Sequence, residues 1–153
     1  MRFLIILLFL TLSNPGHSQN AQVGIDKYKN AFYFEAGGNG FIYSLNYERR
    51  FYVREKLTFT GRVGAATLLR EFPYILPVEL NYLIGKKTNY FEVGFGRTFL
   101  QEEGYNVLRL GYRHENENKN RVFRAAFTPL LGVISDDIIS SYPWLGISYG
   151  IRF

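Results

Sequence analysis

Acidic and basic side chains recur at alternate positions of several short segments, on the face that otherwise carries small or polar residues. Such residues can transfer protons, bind ions or line a polar conduit. If they are enclosed together they must pair, because an unpaired buried charge is very costly. The candidate charge network consists of Glu35, Glu48, Arg50, Arg62, Glu79, Glu92, Arg109, Arg113, Arg124 and Arg152.

Residues that could support catalysis are scarce. Acyl or phosphoryl hydrolysis typically recruits a histidine together with a serine or a carboxylate. Of the two histidines, His17 lies in the predicted signal peptide and His114 in a predicted turn, without a serine partner. Serines near Asp136 and Asp137 have no histidine beside them. We therefore predict that the protein is not an enzyme.

The sequence indicates no cofactor and no metal centre. It has no cysteine, which excludes disulfides and thiolate sites. The acidic pairs Glu102-Glu103 and Asp136-Asp137 offer hard oxygen ligands for Ca²⁺. They lack a recognisable ligand spacing, so solvated acidic loops are the favoured interpretation. The formal net charge of +5 is modest, and the basic residues form no aromatic-lined surface of the kind that binds nucleic acid.

The first 18 residues have the layout of a secretory signal peptide. Met1-Arg2 is followed by an apolar run from Phe3 to Leu12, and Asn14-Pro15-Gly16 breaks this run before Ser18. The run is well short of the roughly 20 residues that a membrane-spanning helix requires. The predicted organisation is a signal peptide at 1–18, a short leader at 19–30 and one β domain at 31–153.

The positions of the charges follow from a strict alternation, which is clearest in the closing stretch Trp144 to Phe153. One parity carries large apolar residues, and the other carries small residues, serine and arginine. Alternation with period two is typical of a β-strand with one apolar face. A chain that ends on an aromatic residue of the apolar parity favours a transmembrane barrel, whose strands face lipid on one side and a polar lumen on the other.

Eight such segments can be counted. In the second, Phe41, Tyr43, Leu45 and Tyr47 are predicted to face outward and Ile42 inward. The predicted fold is all-β: an eight-stranded antiparallel up-and-down transmembrane β-barrel. The predicted strands are 31–37, 41–50, 57–69, 75–84, 91–99, 108–113, 123–128 and 144–153.

The alternation alone does not show which face of the strands lies inside the barrel. A soluble exported barrel of lipocalin type would place the aromatic stripes inside, around an apolar ligand, and the charges outside. The glycine and alanine content of the polar face favours a narrow lumen shared with arginine and glutamate. Because eight strands leave an interior only just wide enough for side chains, a plug of ion pairs is favoured over a conduit.

With an even number of strands, both chain ends lie at the same end of the barrel. Barrel convention places that end in the periplasm, with short turns at 52–56, 85–89 and 114–121. The outer loops are then 37–40, 70–74, 101–106 and 132–143, with acidic residues in the last two.

Three residues disturb the pattern. Arg97 falls on the outward parity, so we expect it near the membrane rim or beside a β-bulge that resets the parity. Pro77 and Pro129 are expected at bulges or strand ends, because proline cannot donate to a β-ladder.

The signal peptide, the eight alternating segments and the terminal Phe153 resemble the small eight-stranded outer-membrane barrels of Gram-negative bacteria, the class of the OmpA transmembrane domain and OmpX. The stretches from Glu35 to Phe51 and from Leu80 to Lys86 resemble an uncharacterised subgroup of that class. The resemblance implies insertion by the barrel assembly machinery, with Tyr149, Ile151 and Phe153 as the assembly signal. It implies no catalytic residues.

We therefore expect a monomeric barrel of the cell outer membrane, in contact with membrane lipid and lipopolysaccharide. Its expected role is structural or one of surface interaction, with a lumen plugged by glutamate and arginine pairs. The alternatives are a soluble lipocalin-like barrel that binds an apolar ligand and a narrow-pore channel.

Overall fold

The computed structural model describes residues 28–54, 56–66, 74–100, 103–116, 118–131 and 144–153. The predicted signal peptide and most of the leader lie outside the described residues. So do the predicted outer loop at 132–143, with Asp136 and Asp137, and the side chains of Glu102 and Glu103.

The described residues form nine strands and one short 3-10 turn, Gly38–Gly40. The strands are β1 Asn30–Gly37, β2 Tyr43–Arg54, β3 Leu57–Ala65, β4 Ile75–Lys86, β5 Asn89–Leu100, β6 Glu103–Asn116, β7 Arg121–Phe127, β8 Leu130–Leu131 and β9 Leu145–Arg152. No helix among the described residues is long and apolar enough to cross a membrane.

Each strand pairs with its neighbours in antiparallel register, and the sheet closes on itself. Strands β1 to β6 pair in sequence, β6 pairs with β7, β7 with β9, and β9 with β1. The short β8 also pairs with β6, so β7 and β8 together form one strand of the barrel. The predicted fold class, an eight-stranded antiparallel up-and-down barrel, is confirmed.

The two prolines interrupt the ladders in different ways. Pro129 lies in the break between β7 and β8, where it accepts a hydrogen bond from the Leu108 amide through its carbonyl oxygen. Pro77 lies within β4 and opposite Thr98, so its predicted place at a bulge or strand end is wrong. The ladder between β3 and β4 ends at Val63 and Val78, and Val78 is the residue that follows Pro77. Proline has no N–H to donate to the next ladder position.

The parity prediction fails at the start of the second strand. Phe41 is buried and Ile42 is exposed, the reverse of the expectation. Phe41 has a φ of 64°, outside the β region, so the alternation begins only after it, at Tyr43. A register shift between Arg50 and Tyr52 at the far end of β2 is a β-bulge.

Several strands extend beyond their predicted ends. β2 continues to Arg54, and β6 runs from Glu103 to Asn116, through most of one predicted loop and into a predicted turn. The extension of β6 from His114 to Asn116 is polar, but its backbone groups continue the ladder, as between Asn89 and His114. β3 ends at Ala65, short of its predicted end at residue 69, although Ala66 still bridges to Ile75.

Both ends of the described chain meet at one end of the barrel, here called the terminal end. The backbones of Asn30 and Phe153 exchange two hydrogen bonds there, at 3.0 and 2.9 Å. The 3-10 turn between β1 and β2 lies at the other end, here called the opposite mouth.

The apolar residues lie on the outside of the barrel. Along β4, Leu76, Val78, Leu80, Tyr82 and Ile84 are 47, 41, 52, 55 and 46 % exposed. The alternate residues on the same strand, including Glu79 and Asn81, are buried. The interior is therefore charged and polar, and the exterior apolar.

Candidate functional site

The interior holds a closed ring of four charged residues near the opposite mouth, here called the charge ring. It consists of Glu35 on β1, Arg62 on β3, Glu79 on β4 and Arg109 on β6. Arg62 donates to both carboxylates, at 3.0 Å to Glu79 Oε2 and at short range to Glu35. Arg109 does the same, at 2.9 Å to each. Because every carboxylate touches both guanidiniums, the ring links four strands across the lumen.

The turn between β1 and β2 folds into the barrel and reaches the charge ring. The Asn39 side chain is fully buried, donates to Glu79 Oε1 and accepts from Arg62 Nη2 at 2.9 Å. The Asn39 carbonyl oxygen accepts from Thr98 Oγ1 at 3.0 Å. Gly37 and Gly38 have φ of 72° and 70°, a conformation that favours glycine and that lets the chain turn inward.

A small apolar cluster closes the opposite mouth beside this turn. Phe41, Ile75 and Leu100 are buried together, with Ala66, Tyr105 and Leu130 packed against them. The inward-folded turn and this cluster lie at the same end of the barrel. The opposite mouth is therefore filled by side chains.

A second group of charges lies towards the terminal end, centred on Glu115. This carboxylate accepts from Arg113 Nε and Arg152 Nη1, each at 2.6 Å, and from Arg50 at short range. Arg113 also donates to Glu48 Oε1 at 2.6 Å. One carboxylate thus holds three guanidiniums from β2, β6 and β9.

Between the two groups, Arg124 forms a two-point contact with Glu92. Arg124 Nε lies 2.9 Å from Glu92 Oε2, and Arg124 Nη2 contacts Oε1 at short range. The ring of Tyr33 lies beside this pair, with the Arg124 guanidinium 4.6 Å and the Arg62 guanidinium 5.6 Å from its centroid. Tyr33 therefore joins the charge ring to the Arg124–Glu92 pair by cation–π contacts.

Small residues on the inner face make room for these long side chains. A Cβ on Gly96 would lie 2.5 Å from Glu79 Cγ, which is too close for two carbon atoms that are not bonded to each other. A Cβ on Gly146 would lie 3.0 Å from Glu35 Oε1. The interior is packed with arginine and glutamate because the facing positions have almost no side chain.

The structure places all ten residues of the predicted charge network in the interior, and all ten are buried. Glu115 was missed, because it was assigned to a turn; the parity of Arg109 and Arg113 on the same strand is the signal that could have identified it. With Glu115, the described interior holds five carboxylates and six guanidiniums. Since arginines outnumber glutamates, most carboxylates are shared.

Glu48 pairs with an arginine across the lumen and not with one on an adjacent strand. Its register partner on β3 is Arg62, but its ion-pair partner is Arg113 on β6. Arg124 Nη1 on β7 is a weaker neighbour at 3.8 Å. The long guanidinium groups reach across the lumen, so they connect strands that are not neighbours in the sheet.

Among the described residues, those considered for catalysis and metal binding do not assemble into a site. His114 lies on β6 and not in a turn, and its Nδ1 is 2.8 Å from Asn89 Oδ1. Within the described ranges, no group of three or more histidine, aspartate and glutamate side chains could hold a metal ion. The serines and aspartates of the predicted outer loop at 132–143 lie outside those ranges.

Arg97 lies on the exposed face near the end of β5. The ladder continues through it without a shift, with Val78 on one side and Asn106 on the other, so the bulge alternative is wrong. Arg97 Nη1 donates to Asn106 Oδ1 at 3.2 Å, and its guanidinium lies 5.7 Å from the centroid of Phe99. Its position is therefore on the outside, towards the opposite mouth.

Tyr149, Ile151 and Phe153, the residues of the predicted assembly signal, all project outward from β9 or its end. Their side chains are exposed, and Arg121 Nη1 donates to Tyr149 Oη at 2.7 Å. Their outward position makes them accessible to a binding partner. Recognition by an assembly machinery stays a prediction.

Comparisons with protein-family models, with characterised proteins and with solved structures find no match. The geometry therefore carries the functional argument. Each interior carboxylate of the described chain accepts from at least one arginine. Such an arrangement cross-links the barrel wall and leaves the carboxylates engaged, which suits a structural role better than proton transfer.

Proposed function

We propose that the protein is an integral outer-membrane β-barrel with a structural or surface-interaction role and no enzymatic activity, its lumen plugged by glutamate and arginine pairs. It is exported by a cleaved N-terminal signal peptide, inserted by the barrel assembly machinery and surrounded by membrane lipid and lipopolysaccharide. It acts as a monomer, because closure of the sheet leaves no strand edge for pairing with another chain.

The observation that carries this proposal is the apolar exterior. Large hydrophobic residues are exposed on every long strand, for example Phe34 on β1, Phe95 on β5 and Ile147 on β9. On β4 the exposed apolar positions run from Leu76 to Ile84, a length of about 26 Å along the strand at about 3.3 Å per residue. The nine residues from Leu76 to Ile84 match the roughly 9–11 residues that a tilted transmembrane β-strand needs to cross the bilayer.

A water-soluble protein would not tolerate this surface. Soluble monomers rarely expose contiguous apolar patches larger than a few hundred Å², whereas here the patch continues around the sheet. A lipocalin-like calyx needs the opposite arrangement, with an apolar interior for its ligand. The interior of this barrel is instead occupied by paired charges, which argues against an apolar ligand.

The leader sequence and the resemblance to small outer-membrane barrels support the same location. A secretory leader delivers the chain to the compartment from which such barrels insert. Exposed Tyr149, Ile151 and Phe153 on the closing strand are then available to the assembly machinery.

We expect the protein to fractionate with the outer membrane of expressing Gram-negative cells. It should also migrate differently on a gel with and without boiling, because a closed barrel resists cold detergent. The measurement is cell fractionation followed by electrophoresis of heated and unheated samples. A protein that stays in the periplasmic soluble fraction and shows no mobility change would contradict the proposal and favour the calyx.

We further expect the purified barrel to be non-conducting in planar lipid bilayers. The charge ring, the Glu115 group and the inward-folded turn occupy the interior at successive levels, so we expect no continuous path for ions. The measurement is single-channel recording, with boiled protein and protein-free bilayers as controls. Reproducible current steps from folded protein alone would support the narrow-pore alternative instead.

A further inference from the structure

The terminal end of the barrel carries a ring of exposed basic residues, here called the basic ring. All three hairpins at this end contribute to it. They supply Arg54 and Lys56, Lys86 and Lys87, and Lys119 and Arg121, all exposed. The sequence places Glu55 and Glu117 in two of these hairpins, outside the described residues, so positive charge remains in clear excess.

The basic ring lies on the side of the barrel that faces outward, and not over the lumen. Lys86 continues the exposed parity of Tyr82 and Ile84 on β4. Arg121 continues the exposed parity of Phe123 on β7. The side chains therefore leave the barrel wall in the same direction as the apolar residues that precede them.

A belt of tyrosines lies between the apolar band and the basic ring. Tyr47 Oη donates to Asn30 Oδ1 at 2.8 Å, and Tyr112 Oη donates to Asn89 Oδ1 at 2.7 Å, so both hydroxyls contact residues at the terminal end. Tyr149 Oη accepts from Arg121 at 2.7 Å. Aromatic residues with an apolar body and a polar tip mark the boundary between hydrocarbon and headgroups.

The opposite mouth differs in charge. Among the described residues of that end, Arg97 is the exposed basic side chain, and it is already engaged with Asn106 and Phe99. The positive charge is therefore concentrated at one boundary of the apolar band.

We propose that the basic ring binds the phosphate headgroups of anionic phospholipids in the leaflet around the terminal end. The inference rests on the proposed membrane location and adds a lipid preference to it. Lysine and arginine near a membrane surface are attracted to anionic lipid, and their flexible stems let the charges reach the headgroup level. The tyrosine belt fixes that level directly beside the ring.

The test uses the folded protein in vesicles with equal parts of phosphatidylcholine and phosphatidylglycerol. Lipids that stay bound after extraction into detergent are counted by native mass spectrometry. We expect the wild type to retain phosphatidylglycerol over phosphatidylcholine by about fivefold or more, the ratio expected for one productive surface charge. Raising the salt concentration during extraction should lower this ratio.

Two matched variants separate charge from other effects. The first changes Lys56, Lys86, Lys87 and Lys119 to glutamine, and it should lower the ratio by about twofold or more, because only Arg54 and Arg121 of the basic ring keep their charge. The second changes the same four residues to arginine, which keeps the charge, and it should preserve the ratio. Arg97→Gln removes one positive charge at the other boundary and should leave the ratio unchanged.

The outcomes distinguish the inference from the proposed function. A wild type that inserts and shows the heat-dependent mobility change, but retains both lipids equally, overturns the lipid preference alone. The same holds if the four-glutamine variant keeps the full preference. A wild type that does not insert into these vesicles overturns the membrane location and the lipid preference together.

Discussion

Replacing Glu79 with leucine is expected to lower the free energy of unfolding by about 3–5 kcal/mol, the cost of breaking a buried ion pair from one side. Glu79 accepts from both Arg62 and Arg109 inside the charge ring. Without it, two buried guanidiniums share Glu35. Loss of a glutamate should cost more stability than loss of an arginine, because arginines outnumber carboxylates in the described interior.

The decisive comparison is a double variant that restores the charge balance. Glu79→Leu combined with Arg109→Met removes one carboxylate and one guanidinium, and it leaves Glu35 paired with Arg62. Replacing a complete buried pair by apolar residues is often neutral or stabilising. We therefore expect the double variant to regain at least half of the stability that Glu79→Leu loses.

The measurement is urea unfolding of the folded barrel in lipid vesicles, followed by the heat-dependent mobility on gels and by the fluorescence of Trp144. Val78→Leu serves as the control on the same strand, since Val78 is exposed and such a substitution usually changes stability by less than about 0.5 kcal/mol. A loss below about 1 kcal/mol for Glu79→Leu would contradict a stabilising ring. So would a double variant no more stable than the single one.

Much of the fold follows from the sequence because a β-strand alternates its side chains with period two. That period placed the ten charged residues on one face and the aromatic residues on the other. It failed where the backbone leaves the β region. The φ of Phe41 is 64°, so the side chains of Phe41 and Ile42 lie on the opposite faces from those predicted. A phenylalanine side chain gives no indication of such a backbone conformation.

The boundaries of strands were harder to predict than their faces. Glu115 was assigned to a turn because His114, Asn116 and the residues after it are polar, yet the ladder continues to Asn116 and Arg121. Hydrogen bonds between backbones do not depend on apolar side chains, so a polar hairpin stem resembles a loop in the sequence. For this reason the sequence did not predict Glu115, the central carboxylate of the second group of charges.

Contacts across the lumen could not be predicted from the sequence. Register relates residues on adjacent strands, and it correctly brings Glu48 beside Arg62 in the sheet. The ion pair of Glu48 with Arg113 depends instead on the diameter of the closed barrel and the length of the arginine side chain. The inward fold of the turn at Gly38–Gly40 likewise has no periodic signal, because glycine-rich turns tolerate many conformations.

The second large effect concerns the outer surface. Leu80→Arg is expected to lower the free energy of unfolding in lipid vesicles by about 2–4 kcal/mol, the cost of an arginine at the middle of the membrane on a barrel exterior. Leu80 lies at the centre of the exposed apolar positions of β4 and is 52 % exposed. Its neighbours across the ladder are Gly61 and Phe95, which offer no carboxylate to pair with a new charge.

Ile84→Arg is the matched control, because it makes a comparable change on the same strand close to the basic ring. There the new guanidinium can reach the headgroup level, so the expected loss is about 0–1 kcal/mol. The comparison depends on depth in lipid and not on exposure, since Leu80 and Ile84 are 52 and 46 % exposed. In a protein surrounded by water, both substitutions would have small and similar effects. Equal stability of the two variants in vesicles would therefore contradict a membrane around the barrel, whereas a difference of about 2 kcal/mol would locate Leu80 in hydrocarbon.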